Sequence, residues 1–192
     1  MIVYYWSTHL IKRWVLLFMA NKYFNFSSEN VLRDAGLLKC PRCYLDFKFI
    51  TAVLAGVFVL WLLHDVVPVF NERHVFHIGM LIALLIWQPV IEEVFFRGIL
   101  QGQFLKYKWA QGTFVGISTA NILVSFLFVS LHVITVPSAW SLLVIFPSIV
   151  FGYLRDVYGS VYPSIFVHIA YNLFVVIGLL LSGSAVINFS IF

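Results

Sequence analysis

In the sequence IEEVFFRGIL, residues 91–100, two adjacent carboxylates and an arginine interrupt a run of hydrophobic residues. A charged side chain at the centre of a membrane helix costs about 2.5 to 3.5 kcal/mol on insertion scales. Three charges within six positions therefore need pairing, a wet cavity, or both. On a helix Glu93 and Arg97 lie four residues apart and can pair, whereas Glu92 points about 100° away. The spacing leaves Glu92 for chemistry; the alternative interpretation is a buried network that only fixes helix packing.

The composition around this stretch is that of an integral membrane protein. Of the 192 residues, 62% are hydrophobic and only 10% are charged, and the mean hydropathy is +0.98. A soluble domain carries about 25% charged residues. At about 20 residues per spanning helix, the chain has room for roughly six spans and no sizeable soluble domain. We therefore predict an all-α, polytopic transmembrane bundle of about six helices.

Two regions are expected along the chain, residues 1–48 and residues 49–192. Residues 1–20 are apolar and aromatic but are interrupted by Lys12 and Arg13, which favours an interfacial helix or a tilted span over a signal peptide. Residues 21–48 form a basic loop, which the positive-inside rule assigns to the cytoplasm. The remaining residues, 49–192, form the helical core. The net charge of +4 is explained by such topology signals, and no basic face for nucleic acid can be assembled.

The basic loop holds both cysteines of the chain, in the order Cys40-Pro-Arg-Cys43. A zinc site needs four ligands, and the second pair is missing from this chain. Free thiols in a reducing compartment are therefore the favoured interpretation. Half of a metal site completed by another chain, and redox chemistry, are the alternatives.

Prolines and glycines divide the core. Pro89 lies one turn before Glu92, where it can kink the helix and open space beside the carboxylates. Pro137 separates two spans, and Pro163 begins the last helix. The pair Gly98 and Gly102 has the spacing that permits close helix approach.

Three consecutive apolar stretches each carry one polar island. A lone histidine on an apolar helix more often packs between helices than acts as a catalyst. Three polar groups of residues in one small bundle, however, all need hydrogen-bond partners in lipid, and they can satisfy this need by contacting one another. The islands are Glu92, Glu93 and Arg97 on the first stretch, Phe128 and His132 on the second, and His168 and Asn172 on the third.

In this order, the patterns Glu92-Glu93-x-x-x-Arg97, Phe128-x-x-x-His132 and His168-x-x-x-Asn172 resemble the three motifs of a known family. It is the CAAX-protease and bacteriocin-processing (CPBP or Abi) family of intramembrane, glutamic-type endopeptidases. The resemblance extends to Gly159-Ser160 before Pro163 and covers residues 85–180. Residues 49–192 are accordingly expected to form a protease-like helical core.

The resemblance implies a role for each motif residue. Glu92 would be the general base on a water molecule that His132 helps to hold, while His168 and Asn172 would donate to the oxyanion. Glu93, paired with Arg97, would orient Glu92, and Phe128 would support His132. An imidazole and an amide are suitable donors for a developing oxyanion.

A metal mechanism is the rival within the same site. Glu92, His132 and His168 could ligate zinc, because two histidines and a carboxylate form an acceptable catalytic set. The zincin signature H-E-x-x-H is absent, however, and the resemblance implies a metal-free site. We therefore expect no metal cofactor, with zinc as the alternative.

The depth of these residues poses a geometric problem. At 1.5 Å per residue, Glu92 lies ~20 Å, His132 ~25 Å and His168 only ~10 to 15 Å from the cytoplasmic ends of their helices. Straight helices that all begin at the surface cannot bring them together. Either the helix begun by Pro163 starts well below the surface, or the His132 helix stops short near Pro137.

The resemblance implies hydrolysis of a peptide bond in a membrane-anchored protein or peptide. Possible substrates are a prenylated C-terminal tail, a leader peptide or a C-terminal sorting tail, and the small chain favours a multi-pass processing enzyme of a prokaryotic cytoplasmic membrane. One alternative is a proton-coupled small transporter or channel subunit in which Glu92, His132 and His168 relay protons. Another is a catalytically silent family member that acts as an immunity or scaffold protein.

Overall fold

The computed structural model describes residues 31–38, 40, 42–63 and 74–188. Within these residues the fold is dominated by six helices, which confirms the predicted all-α class. The predictions for residues 1–20 lie outside the described residues. The helices are α1 (Val31–Asp34), α2 (Phe47–Leu62), α3 (Ile78–Phe104), α4 (Thr119–Thr135), α5 (Ala139–Tyr158) and α6 (Tyr162–Leu181).

Three of these helices are long and apolar enough to cross a membrane. They are α3 with 27 residues and α5 and α6 with 20 residues each. The apolar helices α2 and α4 are shorter, with 16 and 17 residues. A 27-residue helix is about 40 Å long, which exceeds the hydrocarbon thickness of about 30 Å. Helix α3 is therefore longer than the apolar layer is thick. Its end near Lys106 and Lys108 is called the basic end of the bundle.

Local sequence signals set most helix boundaries. The side chain of Asp46 accepts from the backbone N–H of Lys48 and caps α2, and Ser118 caps α4 in the same way through Asn121. Helix α5 ends at Gly159, whose φ of 62° is left-handed. Pro163 stands in the first turn of α6, where its missing N–H costs no helical hydrogen bond. The break predicted at Pro137 also lies between two helices.

The helices pack in an order that brings distant motifs together. Helix α4 packs against α3 and α5, and α6 packs against α5 and α2. Phe96 on α3 meets Phe128 on α4 edge to face, with ring centroids 4.8 Å apart. The buried side chains of Phe151 and Tyr171 form a second cluster between α5 and α6. The three polar islands thus occupy neighbouring helices.

Two small sheets close the ends of the bundle. Strands β1 (His74–His77) and β4 (Ala185–Asn188) pair in parallel at the end opposite the basic end. Strands β2 (Thr113–Phe114) and β3 (Ile117–Ser118) form an antiparallel hairpin between α3 and α4. The sequence pattern did not predict either sheet.

The start of α6 lies deep in the bundle, which resolves the depth problem. A Cβ atom built on Gly98 would lie 3.6 Å from Val161 Cγ1 and 2.9 Å from the carbonyl oxygen of Ala35. The backbone N–H of Val161 donates to the carbonyl of Gly36 at 2.9 Å. The beginning of α6 therefore stands beside Gly98, about 9 Å before the end of α3. Helix α4 also ends at Thr135, so both expected adjustments are present.

Residues 34–38 fill the space above the start of α6. The Arg155 guanidinium donates to the carbonyl of Asp34 at 3.0 Å, and Asp34 pairs with Lys106 at 2.8 Å. The hydroxyl of Ser160 donates to the carbonyl of Leu38 at 2.8 Å. Gly98 and Gly102 have no side chains, which allows this segment to approach α3 closely. A Cβ atom at Gly102 would collide with the Asp34 carbonyl oxygen. Part of the predicted N-terminal region is thus packed onto the helical core.

Gly102→Ala is expected to lower the stability of the protein. Alanine normally stabilises a helix by about 0.5 to 1 kcal/mol relative to glycine. Here the clash is with a backbone oxygen, and overpacking costs about 1 to 3 kcal/mol. The midpoint of thermal unfolding in detergent should fall. Gly112→Ala is the matched control, because its Cβ would have no neighbour closer than 3.6 Å; an equal effect of both changes would contradict the packing described.

Both cysteines are free thiols in this structure. Cys40 is half-buried, and the buried Cys43 donates its S–H to the carbonyl of Cys40. Burial, together with the neighbouring Cys40 side chain, raises the pKa of the Cys43 thiol to about 12. The neighbouring Tyr44 ring packs edge to face on Phe49 and Phe166, so this turn is part of the folded structure.

Cys43 is expected to resist alkylation far more than Cys40. The thiolate is the nucleophile, and at pH 8 a thiol with this pKa is ionised in only about one molecule in ten thousand. Raising the pH from 7 to 9 should leave Cys43 largely unlabelled by maleimide in the folded protein, as measured by mass spectrometry of tryptic peptides. Comparable labelling of both thiols under these conditions would contradict this assignment.

Candidate active site

The carboxylate pair lies on a short α-helical segment between two π-helical segments of α3. The α-helical segment is Gln88–Glu93, and the π-helical segments are Ala83–Trp87 and Val94–Gln101. Such π-helical turns are rare and occur frequently at functional sites, because they change the direction of the side chains that follow. Local geometry thus sets Glu92 and Glu93 apart from the rest of the helix.

Pro89 contributes to this irregular geometry. The backbone N–H of Gln88 donates to the carbonyl of Ala83, five residues earlier. In the same register the carbonyl of Leu84 would face the nitrogen of Pro89, which has no hydrogen. Asn172 supplies a donor instead, with its Nδ2 3.0 Å from the Leu84 oxygen. The polar side chain on α6 therefore satisfies a backbone group that the proline leaves without its helical partner.

Glu93 is the centre of a buried charge network. Its Oε1 accepts from Arg97 Nη1 at 3.3 Å and from His168 Nδ1 at 2.9 Å. Arg97 Nη2 also donates to Ser148 on α5, to the carbonyl at 3.0 Å and to the hydroxyl at 2.7 Å. Glu93 and Arg97 have no exposed surface. The predicted ion pair is confirmed, and it links three helices.

Aromatic rings enclose this network. The Arg97 Cζ atom lies 4.6, 5.4 and 5.8 Å from the ring centroids of Phe128, Phe151 and Phe96. These are cation–π distances, which are worth about 2 kcal/mol or more when the cation is desolvated. The Phe151 ring stacks on His168 with centroids 4.7 Å apart and planes 16° apart. The rings exclude water from the arginine and fix the plane of the imidazole.

Glu92 differs from Glu93 in having no cation bonded to it among the residues that the structure describes. Its Oε1 accepts from Gln88 Nε2 at 2.9 Å, while its Oε2 is buried and has no hydrogen-bond partner in the described part of the chain. The Oε2 of Glu93 is also buried without such a partner, but Glu93 Oε1 is bonded to Arg97 and His168. The Oε2 of Glu92 lies 3.9 Å from Nε2 of His168. The separation is too long for a direct hydrogen bond but allows one water molecule to contact both atoms.

The hydrogen bond to Glu93 also determines which ring nitrogen of His168 carries a hydrogen, and therefore which form of Nε2 faces Glu92. A carboxylate paired with Arg97 is an acceptor, so His168 donates from Nδ1. A neutral imidazole carries one proton, and its Nε2 is then the basic nitrogen facing Glu92. A water molecule in the 3.9 Å gap could therefore donate one hydrogen bond to Glu92 Oε2 and one to His168 Nε2.

His132 and Asn172 bond to backbone carbonyls rather than to this pair. His132 Nδ1 is 3.0 Å from the carbonyl of Phe128 on its own helix, and the two rings are 4.4 Å apart. The Phe128 ring is also 6.5 Å from the His168 ring. Of the predicted site residues, the structure brings Glu92, Glu93, Arg97 and His168 into contact. His132 contacts the Phe128 ring, and Asn172 joins α6 to α3 at the Leu84 carbonyl.

Three residues of the site were not predicted. Gln88 could have been found, because it precedes Glu92 by four residues and such spacing permits a hydrogen bond on a helix. Ser148 and Phe151 stand in the apolar sequence of α5 and reach the site only through packing. No sequence pattern distinguishes them from other helix residues.

The residues that the structure describes contain no group of three or more His, Cys, Asp or Glu side chains arranged to hold a metal ion. The alternative zinc set Glu92, His132 and His168 is therefore not assembled as a set of ligands in this arrangement. The absence of a metal cofactor stays a prediction, which chelation can test.

Fold and site together define an integral membrane protein of helical bundle architecture, with carboxylates and a histidine buried between its spans. The family model described as type II CAAX prenyl endopeptidase Rce1-like matches residues 74–174, more than half of the chain. The chain belongs to this family, which confirms the resemblance drawn from the motifs. The matched region includes every site residue named above. No curated protein and no solved structure matches the chain.

The buried ion pair gives a prediction for stability. Glu93→Gln should destabilise the protein by about 3 to 5 kcal/mol, because it leaves the Arg97 charge buried without its carboxylate. The double variant Glu93→Gln/Arg97→Met should be clearly more stable than the sum of the two single changes implies. Denaturant unfolding in detergent measures both, and Ser148→Ala, which removes one acceptor, should cost only about 1 kcal/mol. Strict additivity would contradict the pairing.

Proposed function

We propose that this protein is an intramembrane endopeptidase that hydrolyses a peptide bond with a water molecule activated by Glu92. Family membership supports the reaction class. The observation that carries the mechanism is the buried, unpartnered Oε2 of Glu92, 3.9 Å from His168 Nε2 within a membrane-spanning helix. A carboxylate held away from bulk water at such a position is suited to remove a proton from a bound water molecule.

In this mechanism Glu92 removes a proton from the water, and the oxygen attacks the carbonyl carbon of the substrate. For this step His168 has taken up a proton on Nε2 from the medium before the attack, so that Nε2–H donates to the tetrahedral oxyanion while Nδ1–H remains bonded to Glu93. His168 keeps this proton throughout the step. The proton on Glu92 then passes to the nitrogen of the leaving amine, and the C–N bond breaks. The products are a carboxylic acid and an amine, and Glu92 is again a carboxylate.

Asn172 and His132 complete the proposed site. Asn172 uses one Nδ2 hydrogen on the Leu84 carbonyl, which leaves the second hydrogen for the oxyanion. His132 is held through Nδ1 by the Phe128 carbonyl, which leaves Nε2 for the water. Both side chains then act from positions fixed by a backbone hydrogen bond, and such preorganisation is what oxyanion and water binding require.

We propose a membrane-associated protein or peptide as the substrate, because the site lies inside the bilayer and the described bundle has no soluble domain. A prenylated C-terminal tail, a leader peptide and a C-terminal sorting tail are the substrate classes to test. We further propose that the enzyme belongs to a prokaryotic cytoplasmic membrane and that residues 21–48 face the cytoplasm, in accordance with the positive-inside rule.

Glu92→Gln is expected to abolish peptide cleavage. The amide keeps the size of the side chain and a hydrogen bond to Gln88 but cannot accept a proton, so the rate should fall by at least about a thousandfold. The measurement uses purified protein in liposomes with a panel of fluorogenic peptides, among them farnesylated peptides that end in a CAAX sequence.

Asp46→Asn is the matched control, because asparagine caps a helix as well as aspartate does and Asp46 lies outside the site. It should cleave at the wild-type rate. Cleavage that survives Glu92→Gln would refute the role of Glu92. Proton flux through liposomes without cleavage of any peptide would favour the transporter alternative, and the absence of both activities would favour an immunity or scaffold protein.

Chelation tests the metal-free prediction. Activity should persist after exhaustive treatment with 1,10-phenanthroline and removal of the chelator, because every step above uses only protein groups and water. Metal analysis of the treated protein by mass spectrometry provides the control for completeness. Loss of activity that added zinc restores would overturn the prediction in favour of Glu92, His132 and His168 as ligands.

A further inference from the structure

The connection between α3 and α4 holds large apolar side chains away from the protein. Phe114 and Val115, at the tip of the β2–β3 hairpin, are 78% and 80% exposed. Trp109 and Tyr107 in the same connection are 58% and 51% exposed, and their rings stack with centroids 6.2 Å apart. Four apolar or aromatic side chains thus project from one short segment at the basic end.

The turn at the tip is strained by the residue it contains. Val115 and Gly116 form a two-residue turn with φ values of 53° and 78°. Turns with two positive φ values favour asparagine and glycine. A β-branched residue in the left-handed region costs roughly 1 to 2 kcal/mol. Valine is therefore unfavourable for the turn conformation. Its presence there indicates that its apolar side chain makes a contact outside the described fold.

The hairpin is nevertheless held firmly at its base. The backbone N–H of Ser118 donates to Asp156 Oδ2 at 3.2 Å, and the backbone N–H of Thr119 donates to the carbonyl of Gly112 at 2.9 Å. The side chain of Gln111 donates to the carbonyl of Leu105 at 2.8 Å. These bonds fix the direction in which the tip projects.

Position and charge indicate what the tip contacts. The hairpin follows the end of α3, a helix long and apolar enough to cross a membrane, and we therefore place it near the level where α3 would leave the bilayer. The connection has no acidic residue and carries two lysines, Lys108 and Lys106, of which Lys106 pairs with Asp34. Aromatic rings and lysines together are typical of the membrane–water interface, where rings lie at headgroup level and lysines meet anionic lipid.

We propose that the tip of the β2–β3 hairpin inserts into the headgroup region of the bilayer and anchors the basic end of the bundle. Phe114 and Val115 enter the boundary between headgroups and acyl chains, while Trp109 and Tyr107 lie beside them at headgroup level. The anchor is a lipid-binding surface separate from the buried carboxylates.

The test uses a fluorescent probe at the tip of the full-length protein. Val115→Cys is labelled with an NBD group in a variant with Cys40→Ser and Cys43→Ala, in vesicles of phosphatidylcholine and phosphatidylglycerol. Lipids with a doxyl quencher near the headgroup should quench this label at least about twofold more strongly than a label at Gln111→Cys, because the tip is buried in the interface. Gln111 is the control because it is exposed and polar and lies in the same connection. Gln111→Cys removes the side-chain bond to Leu105 but leaves the backbone bonds of Ser118 and Thr119 that hold the base of the hairpin.

Phe114→Cys provides a second probe in case the Val115 label disturbs the turn, and it should behave in the same way. Equal, weak quenching at positions 111, 114 and 115 would overturn the proposal. A blue-shifted emission that doxyl lipids do not quench would also overturn it, because the tip would then be covered by protein, such as residues 1–30 or a second copy of the chain.

Discussion

Lipid acyl chains cannot form hydrogen bonds or ion pairs with a charged side chain, and the arrangement of the helices follows from this limit. Glu93 and Arg97 have no exposed surface, so each must find its partners inside the bundle. Arg97 binds Glu93 and Ser148, and Glu93 binds His168 in addition. Helices α3, α5 and α6 are joined at one depth by these bonds. The same network leaves Glu92 with one buried oxygen that no described residue satisfies, and this oxygen is the basis of the proposed chemistry.

The network requires α6 to begin below the end of α3, and the basic end of the bundle is built to allow this. Gly98 lets Val161 approach α3 closely, and residues 34–38 occupy the space above the start of α6. His168, only two turns into α6, thereby reaches Glu93. Residues 34–38 thus help to hold the start of α6 at the depth that the site requires.

The sequence predicted the local features of the site and missed those that arise from packing. The Glu93–Arg97 pair, the break at Pro137 and the helix start at Pro163 follow from spacing and backbone chemistry within one segment. Ser148 and Phe151 could not be predicted, because nothing in the sequence of their helix indicates contact with Arg97 or His168. The sheets could not be predicted either, because they depend on pairing between separate segments. The family was identified from order and spacing of motifs, which are properties of the sequence itself.

In the proposed site, α3 and α6 hold their polar residues against each other inside the membrane. Cysteine cross-linking in native membranes, in a variant lacking Cys40 and Cys43, measures this directly with a short bifunctional methanethiosulfonate reagent. The pair Leu84→Cys and Asn172→Cys should cross-link much faster than Leu84→Cys and Leu173→Cys, because Asn172 bonds to the Leu84 carbonyl whereas Leu173 is exposed toward lipid. Equal or reversed rates would show that Asn172 does not face α3 at Leu84.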